Sequence, residues 1–333
     1  MKIILEKLLD NISLSQNEAR TVMDKIMSGL YNDAEISGFL IALRSKGESS
    51  EEIAGFAEAM RDNMTPVDTV EDAIDMCGTG GDALGTFNIS TAASFVVAAA
   101  GVPVAKHGNR SMTSKSGSAD VLSALGVNIT LSADKVTKCI NEIGIGFMFA
   151  PSLHPAMKYA MGARKSLAVR TVFNLLGPLC NPAGVDRQLM GIFDSGLTNK
   201  IIKVLKKLGS KRAMVVCGKD GLDEISTTDT TVFTELTIDG DIKSGVIDPA
   251  EYSIPINRLS SLKGGSPAQN AKIMLKIFHG EQGAHREIVV LNAAAGILIG
   301  GKVNNLSDGI EIAKECIDSG ATLKVLNLLA EIG

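Results

Sequence analysis

Four short strings hold most of the residues in this chain that could handle charged substrates. Gly78-Thr79-Gly80-Gly81-Asp82 follows an apolar run. Its closely spaced glycines leave backbone N–H groups unshielded, so the loop can wrap around anionic oxygens. Asn88-Ile89-Ser90-Thr91 comes next and opens a helix, whose exposed amides and positive dipole end suit the same anion. Taken alone, the pair also reads as a tight turn followed by an ordinary helix cap. It is neither a Walker loop, which ends in Gly-Lys-Ser/Thr, nor a good GxGxxG fingerprint.

Lys106-His107-Gly108-Asn109-Arg110 reads as a loop just after a strand. Two fixed cations, an imidazole and an amide then surround a glycine at the carboxyl edge of a sheet, where α/β proteins place ligands. Ser114 to Asp120 follows as a hydroxyl-rich stretch that enters another helix, with a plain cap as the alternative. Gly221-Leu222-Asp223-Glu224 puts adjacent acids at a strand exit. Such a pair can hold a hard cation such as Mg²⁺, although by itself it reads first as an exposed acidic turn. Ala150 to Lys158 leads into a segment carrying Arg164, where an amphipathic helix would ordinarily place a surface arginine.

These strings need elements to position them. Residues 1–64 show four apolar stripes at spacings of three and four: Ile3-Leu5-Leu8-Leu9, Ala19-Val22-Met23-Ile26, Ile36-Phe39-Leu40-Leu43 and Ile53-Phe56-Ala57-Met60. This is the helical period. Ser49-Ser50-Glu51-Glu52 suits a helix start. Thr65-Pro66 ends the helical part, and Val67–Asp72 reads as a connector. Beyond it, short apolar runs alternate with amphipathic segments, the texture of an α/β domain. Strands are expected at Ile74–Cys77, Val102–Ala105, Gly146–Phe149, Leu189–Phe193 and Ala213–Cys217. Helices are expected at Thr91–Ala100, Ala119–Leu125, Ala133–Ile143, Pro155–Leu167, Asn199–Leu208, Ala268–Phe278, Arg286–Leu298 and Gly309–Leu329. Val232–Ile247 reads as a hairpin turning at Asp239-Gly240. The expected organisation is a helical domain over residues 1–66 and an α/β domain over 67–333. Some helices near 155–180 are expected to pack with the first.

The 333 residues suffice for a large core, with 45% hydrophobic side chains. A net charge of −4 argues against a general nucleic-acid or anionic-membrane binder. The five cysteines are odd in number and none are at zinc-ligand spacing, which favours reduced cytosolic thiols. The longest apolar stretch, Phe95–Ala105, is too short to span a bilayer.

As a set, the strings Gly78–Asp82, Asn88–Thr91, Lys106–Arg110, Lys115–Leu122, His154–Lys158 and Thr171–Pro182 resemble the anthranilate phosphoribosyltransferase family in order and spacing. The resemblance implies a small helical domain before a larger α/β one with a mostly parallel sheet. It implies 5-phospho-α-D-ribose 1-diphosphate and anthranilate as substrates, with Mg²⁺, two ions per subunit, as cofactor. By family match, Gly78, Gly81, Asp82, Thr86, Asn88, Ile89, Ser90, Thr91, Lys106, His107, Gly108, Asn109, Arg110, Ser111, Met112, Thr113, Ser114 and Ser118 bind the sugar diphosphate. Gly78, Asn109 and Arg164 meet anthranilate, and Ser90, Asp223 and Glu224 hold the metal. Lys106, His107 and Arg164 are the expected catalytic set: a cation on the diphosphate, the nearest proton acceptor and a grip on the anthranilate carboxylate. The family also implies a cytoplasmic homodimer formed through the helical domain, and closure of the two domains around substrate.

Four residues depart from the family's usual choices: Ala83 and Ala168, where glycine is common, and Met112 and Cys180. Two neighbouring readings fit these residues less well. A pyrimidine nucleoside phosphorylase-like enzyme would share the glycine loop but use inorganic phosphate, and Lys106–Arg110 with Arg164 argue against it. A nucleic-acid-binding relative should be basic and should lack the acidic pair.

Overall fold

The computed structural model describes residues 1–80, 82, 84–111 and 115–332. Four helices come first: α1 (Lys2–Leu9), α2 (Gln16–Met27), α3 (Asp33–Lys46) and α4 (Ser50–Asp62). The starts of α2, α3 and α4 carry full capping boxes, Ser15/Glu18, Asn32/Glu35 and Ser49/Glu52. Each cap satisfies orphan amides and contributes about 1 kcal/mol. The apolar stripes meet in one core that includes Met23, Ile26, Phe39, Leu43 and Phe56.

A seven-stranded sheet follows: β1 (Ile74–Gly78), β2 (Val104–Gly108), β3 (Ile145–Phe149), β4 (Arg187–Gly191), β5 (Arg212–Gly218), β6 (Thr231–Leu236) and β7 (Ile242–Ile247). Their spatial order is β3-β2-β1-β4-β5-β6-β7, parallel from β3 to β5 and antiparallel in the last two pairings. The chain builds outward from β1 to β3, then returns to lay β4 on the other side of β1. The β1/β4 pair is therefore a topological switch point, where a crevice opens at the carboxyl ends of the strands.

Both faces of the sheet are covered, as a parallel sheet requires. Met76, Val104, Leu189 and Val216 share one core with helix α5 (Ile89–Ala99) and with the C-terminal helices Ala284–Ile299 and Leu306–Asp318. Met190, Ile192, Val215 and Cys217 join the core of the N-terminal bundle on the opposite face. Ala160, Ala163, Phe173 and Leu176, from the 155–180 stretch, lie in that second core as well.

Several elements differ from the sequence expectation. Strand β2 runs to Gly108, so Lys106 and His107 are strand residues and not part of a following loop. The helix expected over Pro155–Leu167 is a 3₁₀ turn, Pro155–Met157, followed by a helix, Lys158–Leu167, and a short helix not anticipated, Ala150–Leu153, precedes them. His154 precedes a proline, which disfavours helical backbone, and it sits at φ −120° and ψ 64°. Helix Phe173–Leu179, which contains Pro178, was not anticipated. The C-terminal helix is two, Leu306–Asp318 and Ala321–Glu331, separated by Gly320 in the left-handed region.

Candidate active site

At the switch point the glycine loop and the acidic turn meet. The Gly80 amide donates to Asp223 Oδ2 at 2.7 Å, and the Ser90 amide donates to Glu224 Oε1 at 3.1 Å. The close approach depends on two strand-end glycines. A Cβ on Gly78 would lie 2.4 Å from Asp223 Oδ2, and one on Gly191 would lie 1.6 Å from the Asp223 carbonyl oxygen. Burial raises Asp223 above the ordinary carboxylate value, and Asp82 beside it adds to the rise. Asp82 is raised too, chiefly by its own burial. Burial and the Asp223 charge push Glu224 up to about 8, against the pull of Lys106. Two carboxylates in this state lack a cation. Among the described residues no three His, Cys, Asp or Glu side chains gather to cage a metal. A pair of adjacent acids, one buried and one half-buried and open to the loop, instead suits Mg²⁺ that completes its shell with phosphate oxygens and water. The Ser90 hydroxyl forms no hydrogen bond to any described residue, and that leaves it free for the same use.

Beneath the loops runs a buried polar strip. The Lys106 ammonium donates to the Met76 carbonyl at 2.5 Å, and its pKa is lowered by burial although Asp75, Cys77 and Glu224 oppose this. His107 lies on the other face of β2. Its ring centre is 5.0 Å from that of His154, and the Nε2 atoms of both are buried without a partner. Burial pushes His107 down to about 3 and His154 to about 4, so both stay neutral at pH 7. Asp75, fully buried, accepts from the His107 amide at 3.3 Å.

Residues 108–111 and 115–120 form a third wall. The Ser118 hydroxyl donates to the Asn109 carbonyl, and Gly108 and Gly117 pack where no Cβ would fit. Asp120, which sequence reasoning did not single out, gathers the loop. It accepts from the Arg110 guanidinium at 2.8 Å, the Ser111 amide at 3.0 Å and the Gly117 amide at 2.9 Å. Burial works against its ionisation, but these donors outweigh it and hold the carboxyl below its usual value. Asn88, expected as a helix cap, makes no cap bond with its side chain. It instead exchanges hydrogen bonds with Ser116 across the site. Ile89 and Thr91 are buried at the start of α5, so only their backbone can face a ligand. Thr86 pairs with Lys263 in a single antiparallel bridge. Gly81, Met112, Thr113 and Ser114, also expected here, lie outside the described residues, as does Ala83.

Arg164 stands on helix Lys158–Leu167, half-buried, with its guanidinium 5.0 Å from the Phe173 ring centre and no ion-pair partner among the described residues. No contact joins it directly to Asn109 or Gly78. The link is the segment after it: Phe173 carries the guanidinium, while the Gly177 and Cys180 backbones of the same stretch act on the His107 and His154 rings, partly opposing the fall that burial causes. Asn292 is a second residue that the sequence reading missed. Fully buried on helix Ala284–Ile299, it receives the Ile225 amide at 2.9 Å and donates to the Ile225 carbonyl at 2.8 Å. It thereby pins the residue next to Glu224. An amide inside the otherwise apolar run from Ile288 to Ile299 was the available signal.

A helical bundle set against a sheet whose carboxyl edge carries glycine loops and acids is the architecture of a glycosyl transferase. The model of the glycosyl transferase family's helical bundle domain matches residues 2–64, and that of its a/b domain matches residues 70–323. The anthranilate phosphoribosyltransferase of Alkaliphilus metalliredigens is 50% identical over all of this chain and 98% of its own length. The crystal structure of the Thermus thermophilus enzyme of the same name superposes with a TM-score of 0.93 at 37% identity, covering 99% of this chain and 98% of that one. The Saccharomyces cerevisiae enzyme in complex with PRPP and Mg gives 0.90 at 28% identity, covering 98% and 96%. The chain belongs to the anthranilate phosphoribosyltransferase family.

Proposed function

We propose that this chain moves the phosphoribosyl group of 5-phospho-α-D-ribose 1-diphosphate onto the amine of anthranilate. The products are N-(5-phosphoribosyl)anthranilate and pyrophosphate, and the reaction serves tryptophan biosynthesis. The observation that carries this reading is the acid pair, buried Asp223 and half-buried Glu224, held by amides of the glycine loop and of the α5 start, with Lys106 the cation that acts on Glu224 among the described residues. That arrangement fits a metal–diphosphate complex and little else.

In this reading, Gly78 to Asp82, Thr86, Asn88 to Thr91, Lys106 to Ser114 and Ser118 surround the sugar diphosphate. Asp223, Glu224 and Ser90 hold Mg²⁺, two ions per subunit. When bound, the metal neutralises charge on the departing pyrophosphate. Lys106 lends positive potential from below the loop. Arg164 grips the anthranilate carboxylate through its planar fork, with Asn109 and the Gly78 backbone beside the ring. The attacking aromatic amine is neutral at pH 7, so positioning matters more than a strong base. His107, buried and neutral, lines the anthranilate side and can take the proton released after attack.

The helical part, residues 1–66, and the α/β part, residues 67–333, act as two domains that close on the substrates. The exposed apolar side chains of Ile3, Leu9, Leu30 and Tyr159 suit a homodimer contact through the bundle. No helix among the described residues is long and apolar enough to cross a membrane. The test is loss of anthranilate fluorescence with purified protein, phosphoribosyl diphosphate and Mg²⁺. Metal-dependent loss with pyrophosphate release is expected. A folded protein that leaves anthranilate untouched, but splits pyrimidine nucleosides with inorganic phosphate, would overturn the reading.

A further inference from the structure

We propose that Asn270 is a positioning residue for sugar-diphosphate binding, acting through Asn88. This rests on the transferase reading above and adds to it a residue 182 positions beyond Asn88.

Asn270 lies on helix Pro267–Phe278, on the face turned to the core, and is 1% exposed. Its side-chain amide donates to Asn88 Oδ1 at 2.9 Å, while its own oxygen accepts from the Gly265 amide at 2.7 Å. Asn88 Oδ1 also receives the Ser116 hydroxyl at 3.1 Å, and the Asn88 amide donates to the Ser116 carbonyl at 3.1 Å. Two donors on one oxygen fix which way the Asn88 amide faces. One amide hydrogen of Asn88 then has no partner among the described residues. Asn270 thus sets the rotamer of a residue that stands between the glycine-loop side and the 108–120 loop. It offers the pocket a donor already oriented before ligand arrives.

The segment that carries Asn270 is held in place independently of its side chain. The Phe87 amide donates to the Leu262 carbonyl at 3.3 Å, and the Gly264 amide donates to the Gly85 carbonyl at 2.9 Å. Thr86 and Lys263 form the bridge between them. Gly264 permits this contact, since a Cβ there would lie 2.7 Å from both the Phe87 backbone and Asn270 Oδ1. Cutting the Asn270 amide should therefore loosen Asn88 without releasing the turn.

Two substitutions separate the relay from a local structural role. Asn270→Asp keeps the size and the acceptor for Gly265 but, ionised at pH 8, has no donor for Asn88. Asn270→Ala removes both bonds. Steady-state constants for each substrate and calorimetric binding of phosphoribosyl diphosphate with Mg²⁺ are the readouts. Both variants should raise the KM for the sugar diphosphate about 10-fold, the loss of one hydrogen bond to a buried polar group, and leave that for anthranilate within about twofold. Ser116→Ala, which cuts the relay at its other end, should show the same selectivity. Wild-type constants in Asn270→Asp beside a defect in Asn270→Ala would confine the residue to the Gly264–Ser266 turn and overturn the relay. So would a parallel rise in both constants. A wild-type protein that neither binds the sugar diphosphate nor consumes anthranilate would instead sink the transferase reading, and this inference with it.

Discussion

Two glutamates, Glu52 and Glu224, have opposite surroundings: the first is fully buried and the second half-buried. Glu52, in the helical bundle, is completely enclosed by partners from its own chain. Its carboxylate accepts the Leu14 amide at 2.9 Å, the Ser49 amide at 2.8 Å and the Lys46 ammonium at 2.8 Å. Glu224, at the sheet edge, accepts one amide, sits beside another acid and titrates near pH 8. Evolution can satisfy a buried carboxylate, as Glu52 shows. Leaving Glu224 short therefore marks the place where something outside the chain completes the set.

The contrast can be broken most directly by neutralising both sites. Asp223→Asn/Glu224→Gln should reduce Mg²⁺-dependent turnover on the order of 10³-fold, the scale of losing preorganised charge stabilisation. Its melting temperature should hold or rise, because two adjacent acids whose ionisation burial opposes become neutral amides. Glu52→Gln should do the reverse and cost about 3 kcal/mol of stability, as breaking a buried ion pair does. Activity per folded molecule should be kept. Calorimetry beside single-substrate kinetics checks both, and a stability loss in the acid double variant would erase the distinction.

The same logic extends to cations. Lys46 is paired, whereas Arg164 lies over Phe173 with no carboxylate. Arg164→Ala should raise the anthranilate KM about 10- to 100-fold, the worth of charged hydrogen bonds to a carboxylate. Its thermal stability should barely change.

The histidines sharpen the comparison through pH. His107 and His154 titrate near 3 and 4 when folded, below the unfolded value of about 6.5. Depressed folded values give stability that is fully present above about pH 6.5 and is lost as pH falls toward 4, because only the unfolded chain takes the protons. His107→Gln/His154→Gln should therefore flatten the fall of melting temperature between pH 6.5 and 4. An unchanged acid slope would show that the rings are protonated in place. The smallest effect belongs to Ala168, which closes helix Lys158–Leu167 at φ +50°. Ala168→Gly removes left-handed strain worth about 1 kcal/mol, part of it offset by backbone entropy. A rise in melting temperature of a few degrees or less is the expected reading.

The bundle and the parallel strands were legible because their signals are local: apolar period, capping residues, and glycines after short runs. Ser49/Glu52 and the Asp239-Gly240 hairpin turn needed only neighbours in sequence. The phosphate-handling strings were legible as strings, but their placement was not. Lys106 and His107 read as loop residues because charge seldom ends a buried strand, yet pairing with β3 carries the strand through them. Asp120, Asn270 and Asn292 escaped because each acts on a segment far away or on backbone, and no spacing rule encodes such reach. A polar residue on a helix face that is otherwise apolar, as Asn270 is beside Ala271 and Met274, was the trace they left.

Gly78, Gly191 and Asp223 were met above as three surfaces in contact, and their fit has a bearing on descent. Neither glycine can acquire even a methyl group while Asp223 keeps its place, and Asp223 cannot retreat without giving up the Gly80 amide. The three positions form one unit of inheritance, spread over three strand ends. A lineage that drifts elsewhere in this fold stays fixed here, because every single step away from the trio passes through an enzyme with a displaced acid. Saturation libraries should show this corner as a block of intolerance, tightest at Gly191, where the added Cβ would meet backbone.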